Sequence, residues 1–346
     1  MKALVFKGPG SIKYEEVPTP EPGPDEVRIH PKAVSICGSD TSGYKGGNAM
    51  RTPGLIMGHE FAGVIDKLGA NVTGLSVGQR VVVYHLLFCG KCRDCREGRE
   101  NVCINRAIIG TNMPKAGPYN GAMADYVIAP AKKIIPLPDH VTFNEAAMAE
   151  PVSIGLRSIK RVKEGVKGQS VLVYGAGPIG LLTIQCLRAE GAGRIIAVGH
   201  DSSRLEMARE CGAEVVIDSK TQDEVKIVEE LTDSGGVDLV FDCVGIQDTV
   251  NNSSKMVRCG GTVVWVGLAH NKIEFDFKYS VCKEITFTGA YMYTTELMEG
   301  LDLIAARKID VSKIITGVYP MSEGPKHFEL IARKESKDIK IILTND

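Results

Sequence analysis

Two groups of residues in this 346-residue chain have the types and spacings needed to hold a metal. Cys89, Cys92, Cys95 and Cys103 form a C-x2-C-x2-C-x7-C array in a loop flanked by Gly90, Lys91, Arg93, Arg96 and Gly98. Four thiolates this close can close a tetrahedral shell around zinc, and the basic neighbours favour loss of the thiol protons. A shell filled by protein alone is structural. An iron–sulfur cluster is the rival reading, and buried unligated thiols the bland one, against which the polarity of the loop weighs. The second group is Cys37-Gly38-Ser39-Asp40 together with Gly58-His59-Glu60. A thiolate, an imidazole and a carboxylate from separate loops suit a zinc that keeps one position open for water or substrate, as catalysis requires. Taken singly, Cys37 reads as a small core residue, His59 as a structural histidine and Glu60 as a paired or surface carboxylate.

A third stretch points to a nucleotide. Ser170–Tyr174 is a strand-like run that enters Gly175-Ala176-Gly177-Pro178-Ile179-Gly180 and leaves into the apolar, helix-spaced Leu181–Cys186. This is G-x-G-x-x-G in the strand-turn-helix context that makes it informative. Gly175 serves the tight turn, Gly177 the approach of a pyrophosphate to the backbone, and Gly180 close helix–strand packing, while unpaired helix N–H groups face the anion. The alternative is an ordinary strand-turn-helix.

The elements that must position these groups fall into two textures. Up to about Pro151 the chain is rich in Gly, Pro and short β-type runs such as Val27–His30 and Arg80–Tyr84, which predicts an irregular, mostly antiparallel β domain. From Val152, helices alternate with the apolar runs Ile195–Val198, Val215–Ile217, Asp238–Phe241, Thr262–Val266 and Ile285–Phe287, which predicts a doubly wound parallel sheet. Beyond Gly289 the pattern predicts helices around Glu296–Arg307 and Glu323–Arg333 and a final strand at Lys340–Leu343. The length suits two domains. With 41 basic against 42 acidic residues, the charge balance argues against a nucleic-acid or membrane-surface partner. No apolar run is long enough to span a bilayer, and Met1–Phe6 leads into a strand pattern, so a cytoplasmic location is expected. Ten cysteines are many for that reducing compartment, and half of them are better explained as metal ligands.

The order Cys37-Gly38-Ser39-Asp40, Gly58-His59-Glu60, the four-cysteine lobe, Glu150-Pro151 and the Gly175–Gly180 turn closely resembles the zinc-dependent medium-chain alcohol/polyol dehydrogenase family. The resemblance covers essentially the whole chain. It implies an α/β fold: a GroES-like, mostly antiparallel β catalytic domain over residues 1–151 carrying both zincs, a Rossmann doubly wound parallel sheet over 152–289, and a return to the catalytic domain over 290–346. It further implies a catalytic zinc held by Cys37 and His59 with Glu60 or Glu150, and a substrate hydroxyl bonded by Ser39, which relays its proton. Glu150 occupies the position where sorbitol-like members carry a glutamate, which places the chain on the polyol side. Whichever of Glu60 and Glu150 does not coordinate would orient water or exchange protons. A homotetramer or homodimer is implied, with a small-molecule alcohol or polyol as substrate.

Two departures from the family pattern carry expectations of their own. Sorbitol-like members have an arginine after the last Rossmann strand, where this chain reads Gly289-Ala290-Tyr291-Met292-Tyr293. Met292 there counts against a simple sugar alcohol and leaves secondary alcohols, diols, polyol phosphates and amino alcohols such as threonine. Lys45 and Arg51 could meet an anionic substrate but read more simply as solvated loop charges. In NAD-binding domains an acid about 20 residues beyond the glycines binds the adenosine ribose; Gly199 stands at that position. Arg204, His200, Ser202 and Ser203 could instead bond a 2′-phosphate, and Asp201 reads as the N-cap of the next helix, so NADP is favoured over NAD. Val244 and Gly267, after two later strands, complete the expected cofactor set. The competing function class is a zinc-free reductase or nucleotide-sensing binding protein on the same scaffold, which has no reason to assemble Cys37, His59 and Glu150.

Overall fold

The computed structural model of the chain describes residues 1–232, 235–269 and 272–345. The chain forms two compact units, one of Met1–Glu150, Leu297–Ala306 and Ile315–Asp346, the other of Pro151–Glu296 and Arg307–Ile314.

Among the described residues of the first unit, seven strands form a sheet in the order Ile134–Pro136, Arg80–Val83, Glu60–Leu68, Glu26–Ser35, Lys340–Thr344, Ile315–Pro320, with Val127–Pro130 also paired to Glu26–Ser35. All pairings are antiparallel except that of the two C-terminal strands. Glu26–Ser35 alternates buried and half-buried side chains over most of its length, the pattern of a strand with one face on a core. That core contains Leu4, Phe6, Ile29, Val34, Met57, Phe61, Ile65, Met123, Phe328 and Leu343. The C-terminal strand thus lies beside the central strand that leads out to Cys37.

In the second unit six parallel strands run in the order Val215–Asp218, Ile195–Gly199, Val171–Tyr174, Val237–Asp242, Val257–Trp265, Thr286–Gly289 among the described residues. This is the doubly wound order in which the first strand lies at the topological switch point. The strand Val171–Tyr174 is buried throughout, as expected for a parallel strand covered on both faces. The predicted strand at Thr262 begins earlier, at Val257, because Cys259-Gly260-Gly261 forms an irregularity: Val237 pairs with Val257, then Leu239 with Thr262. No helix among the described residues is long and apolar enough to cross a membrane.

Candidate active site

The helix Gly38–Tyr44 begins at Cys37, whose Sγ accepts from Ser39 N and from Ser39 Oγ at 3.4 and 3.3 Å. Glu60 opens the strand Glu60–Leu68 opposite Ser35, two residues before Cys37. This register brings the sequence-distant segments together: donor atoms of Cys37, His59 and Glu60 all lie within 4.8 Å of one another. Glu150 is not in that three-donor set, but its carboxylate is near enough to feel all three. It also lies beside a residue the sequence analysis missed, His85, whose Nε2 is 3.8 Å from Glu150 Oε1 and whose ring lies 5.3 Å from that of His59. His85 is fully buried, and burial followed by the nearby charge of His59 holds its pKa well below the usual value, so it is neutral. Its position two residues after the strand Arg80–Val83, which pairs with the one carrying Glu60, and four residues before Cys89 is the signal that could have revealed it.

The surroundings of the three donors are charged and dry. Burial pushes the Cys37 thiol up to about 12, with Glu60 adding to the effect. Burial also raises Glu150 well above the carboxylate range, again with Glu60 contributing. His59 Nδ1 and Asp40 Oδ2 are buried with no hydrogen-bond partner, yet they face one another at 3.7 Å. A small approach would give Asp40 the Nδ1 proton and leave Nε2 as the lone-pair donor, the arrangement typical of a metal-ligating histidine. Sulfur, imidazole nitrogen and carboxylate oxygen around one point, each favoured by a cation, fit zinc.

Glu60 has a permanent counter-ion that sequence reasoning did not find. Lys340 Nζ donates to Glu60 Oε2 at 2.6 Å and to Ile36 O at 3.1 Å, and both side chains are almost wholly buried. The ammonium reaches over the end of the central strand, since Glu60–Leu68 and Lys340–Thr344 flank it on either side. Burial alone would lower the pKa of Lys340, but Glu60 and Cys37 more than offset that and raise it. Lys340→Met leaves a buried carboxylate without its cation and is expected to destabilise the protein by about 3–5 kcal/mol. Denaturant midpoints check this, and Lys340→Met/Glu60→Gln should recover most of the loss; an unshifted midpoint in the single variant would show that the pair contributes nothing.

Arg51 is a correction to the sequence reading. It is not a solvated loop charge: its side chain is 2% exposed and its Nε and Nη2 bond Asp40 Oδ1 at 3.0 and 2.7 Å. The pairing neutralises its charge, which removes Arg51 as a recognition group for an anionic substrate. Lys45 is exposed, as expected.

The four-cysteine lobe is closed. Cys89 and Cys103 Sγ are 3.5 Å apart, Cys92 and Cys95 3.5 Å, Cys92 and Cys103 3.9 Å, and Cys89 and Cys95 4.0 Å. A tetrahedral site with Zn–S of about 2.3 Å has S···S edges of about 3.8 Å, so the thiols already stand at the corners of such a shell. Backbone N–H groups of Lys91 and Cys92 lower the Cys89 thiol to about 6, while burial and neighbouring thiols raise Cys95 to about 12. A central cation is what would let all four ionise together.

In the second unit the glycine turn has the shape of an anion cradle. Gly175 has φ +94°, and a Cβ there would lie 2.6 Å from Val244 Cγ2; a Cβ on Gly180 would lie 1.7 Å from Gly175 O. Gly177 has open space where its Cβ would be, and it caps the helix Pro178–Ala189 without a side-chain bond to the first N–H groups, of which Ile179 and Gly180 carry two. Val244 packs beneath Gly175, and Gly267 packs on Val244, where its own Cβ would lie 2.2 Å from Val244 C. Gly199 ends the next strand. His200, Ser202 and Ser203 are exposed and Arg204 is half-buried. Asp201 is the N-cap of the helix Ser202–Glu210, accepting from Arg204 N at 3.2 Å and Ser203 Oγ at 2.7 Å.

Residues 23–139 match the alcohol dehydrogenase GroES-like domain, and residues 178–306 match the zinc-binding dehydrogenase domain. The sorbitol dehydrogenase of Arabidopsis thaliana is 34% identical over 97% of this chain and 93% of its own length. The chain belongs to the zinc-dependent medium-chain alcohol/polyol dehydrogenase family. Among solved members, a zinc-binding dehydrogenase from Sinorhizobium meliloti 1021 bound to NADP superposes with a TM-score of 0.90 at 29% identity, covering 99% of both chains. A further solved structure, described as a short chain alcohol dehydrogenase from Escherichia coli CFT073 complexed with NADH, superposes at 0.91 and 27% identity, covering 100% and 99%. As a member of this dehydrogenase family the chain is an oxidoreductase that acts on small-molecule alcohols or polyols.

Proposed function

We propose that the chain oxidises a secondary alcohol (a diol, polyol or polyol phosphate) reversibly with NADP, using one catalytic and one structural zinc. The observation that carries this reading is the convergence of Cys37, His59 and Glu60 on one point with the orphaned Asp40–His59 contact behind it. Zinc held there by Cys37 and His59 with a carboxylate would supply Lewis acidity to the alcohol oxygen, and a bound nicotinamide would supply the hydride acceptor. Ser39 Oγ, beside Cys37, bonds the substrate hydroxyl and carries its proton away; Asp40 orients His59; His85 stands neutral beside Glu150. Metal content per chain tests the reading. Two zincs, with turnover lost on removal of one, are expected, whereas a single zinc confined to the cysteine lobe would favour a zinc-free reductase.

Glu150 is the proposed third ligand, because Glu60 already shares an oxygen with Lys340. Glu150→Ala should then lose the catalytic metal, while Glu60→Ala should keep it and lose rate by about ten- to hundredfold. Full metal occupancy and a normal rate in Glu150→Ala would remove Glu150 from the site.

The preference for NADP rests on the missing carboxylate at Gly199 and on Asp201, which is engaged as a helix cap. A lower KM for NADP than for NAD is expected, and Gly199→Asp should reverse the order. A Cβ at Gly199 would lie 3.2 Å from Leu205 Cδ2 and 3.4 Å from Ala176 Cβ, so the substitution needs the tip of Leu205 to give way by a few tenths of an ångström. Better use of NAD by the parent enzyme would identify Asp201 as the ribose ligand. A homo-oligomer is also proposed, on the grounds that the edge strand Thr286–Gly289 lies at the end of its sheet and that Phe277 and Val281 nearby in sequence are 73% and 56% exposed.

A further inference from the structure

The buried guanidinium of Arg51 has a second partner. Besides its fork on Asp40 Oδ1, Arg51 Nη2 donates to Ser39 Oγ at 3.0 Å, so one side chain joins the hydroxyl proposed to meet substrate to the carboxylate that faces His59. The fold makes room for it: a Cβ at Gly43 in the helix Gly38–Tyr44 would lie 2.2 Å from Arg51 Cγ, a clash with the arginine stem. The turn before Arg51 is tied to the same helix, with Asn48 Nδ2 donating to Ser39 O at 3.4 Å and Arg51 N to Asn48 O at 3.1 Å.

We propose that Arg51 is a positioning residue that locks the Ser39 hydroxyl in one rotamer, its own proton donated to Cys37 Sγ and its remaining lone pair free to accept from the substrate hydroxyl. The inference rests on the reading of Ser39 as the substrate-facing hydroxyl. Guanidinium only donates, so Arg51 occupies one acceptor site on Ser39 Oγ, and no proton passes into Arg51. Without it, Ser39 has three staggered rotamers to choose from; with it, the Oγ stays beside Cys37 Sγ, 3.3 Å away. Because Asp40 neutralises the arginine, the contact acts through geometry and hydrogen-bond direction rather than by recruiting an anionic substrate. A catalytic group held loosely loses rate while the cofactor still binds.

The test is a double-mutant cycle on the zinc-loaded enzyme, with zinc content and thermal midpoint measured alongside kcat and KM. Arg51→Gln should lower kcat by about ten- to hundredfold at unchanged zinc content and unchanged KM for the cofactor. Arg51→Lys keeps a cation beside Asp40, guarding against loss of the fold, but gives up the planar fork, and should lower kcat about tenfold. In a Ser39→Ala background neither substitution should lower kcat further. Parent-like kcat in both arginine variants, a loss that only tracks lost zinc, or an undiminished effect in the Ser39→Ala background would overturn the role of Arg51. Parent-like kcat in Ser39→Ala itself would instead overturn the reading of Ser39, and the proposal with it.

Discussion

Cys37→Ser and His59→Ala should each cut alcohol oxidation by more than about a thousandfold while leaving a folded chain. Lewis-acid assistance supplies several kcal/mol of the barrier reduction, and about 4 kcal/mol is a factor of about a thousand. Neither side chain is a large element of the core: Cys37 is small and half-buried at a helix start, and His59 has an unpartnered Nδ1. Each substitution should release one metal per chain, the one removed first by chelators, and leave the thermal midpoint close to that of the metal-depleted parent. Near-normal turnover in Cys37→Ser would show that the catalytic centre lies elsewhere.

Loss of a lobe cysteine should have the opposite signature. Cys92→Ser removes one corner of the four-thiol shell, which holds the Cys89–Cys103 loop with little apolar packing of its own: Val102 within it is 37% exposed, Ile104 just after it is 55% exposed, and charged Lys91, Arg93 and Arg96 neighbour the thiols in sequence. Structural zinc in isolated small domains is worth about 10–16 kcal/mol of coupled folding free energy. Part of that is expected to be lost here, about 5 kcal/mol or more, seen as a lower unfolding midpoint and greater proteolysis between Cys89 and Cys103. Molecules that remain folded should keep their turnover per catalytic zinc. An unchanged midpoint in Cys92→Ser would exclude a metal in the lobe or show that it contributes no stability.

The amino-acid sequence by itself determined the features whose evidence is short-range. The lobe was legible because four cysteines fall within fifteen residues, Cys89 to Cys103, and the glycine turn because strand, glycines and helix are contiguous. The helix cap at Asp201 was readable for the same reason, since a capping side chain bonds an N–H only three residues away. The parallel sheet followed from the alternation of apolar runs with helical ones, although the start of the strand at Val257 did not, because a glycine-pair irregularity has no periodicity to detect.

What only the tertiary structure decided is the partner of each charge. Arg51 and Lys45 look alike in sequence, yet one is sealed against Asp40 and Ser39 and the other is in water. Lys340 meets Glu60 across 280 residues of chain, through the accident of which strands flank Glu26–Ser35. His85 enters the site because it follows, by two residues, the strand Arg80–Val83, which pairs with that of Glu60. A long charged side chain carries no local mark of being buried; burial becomes tolerable only when a counter-charge from elsewhere in the chain is packed beside it. Pairing of that kind is set by strand order and register, which are properties of the assembled sheet rather than of any segment in it.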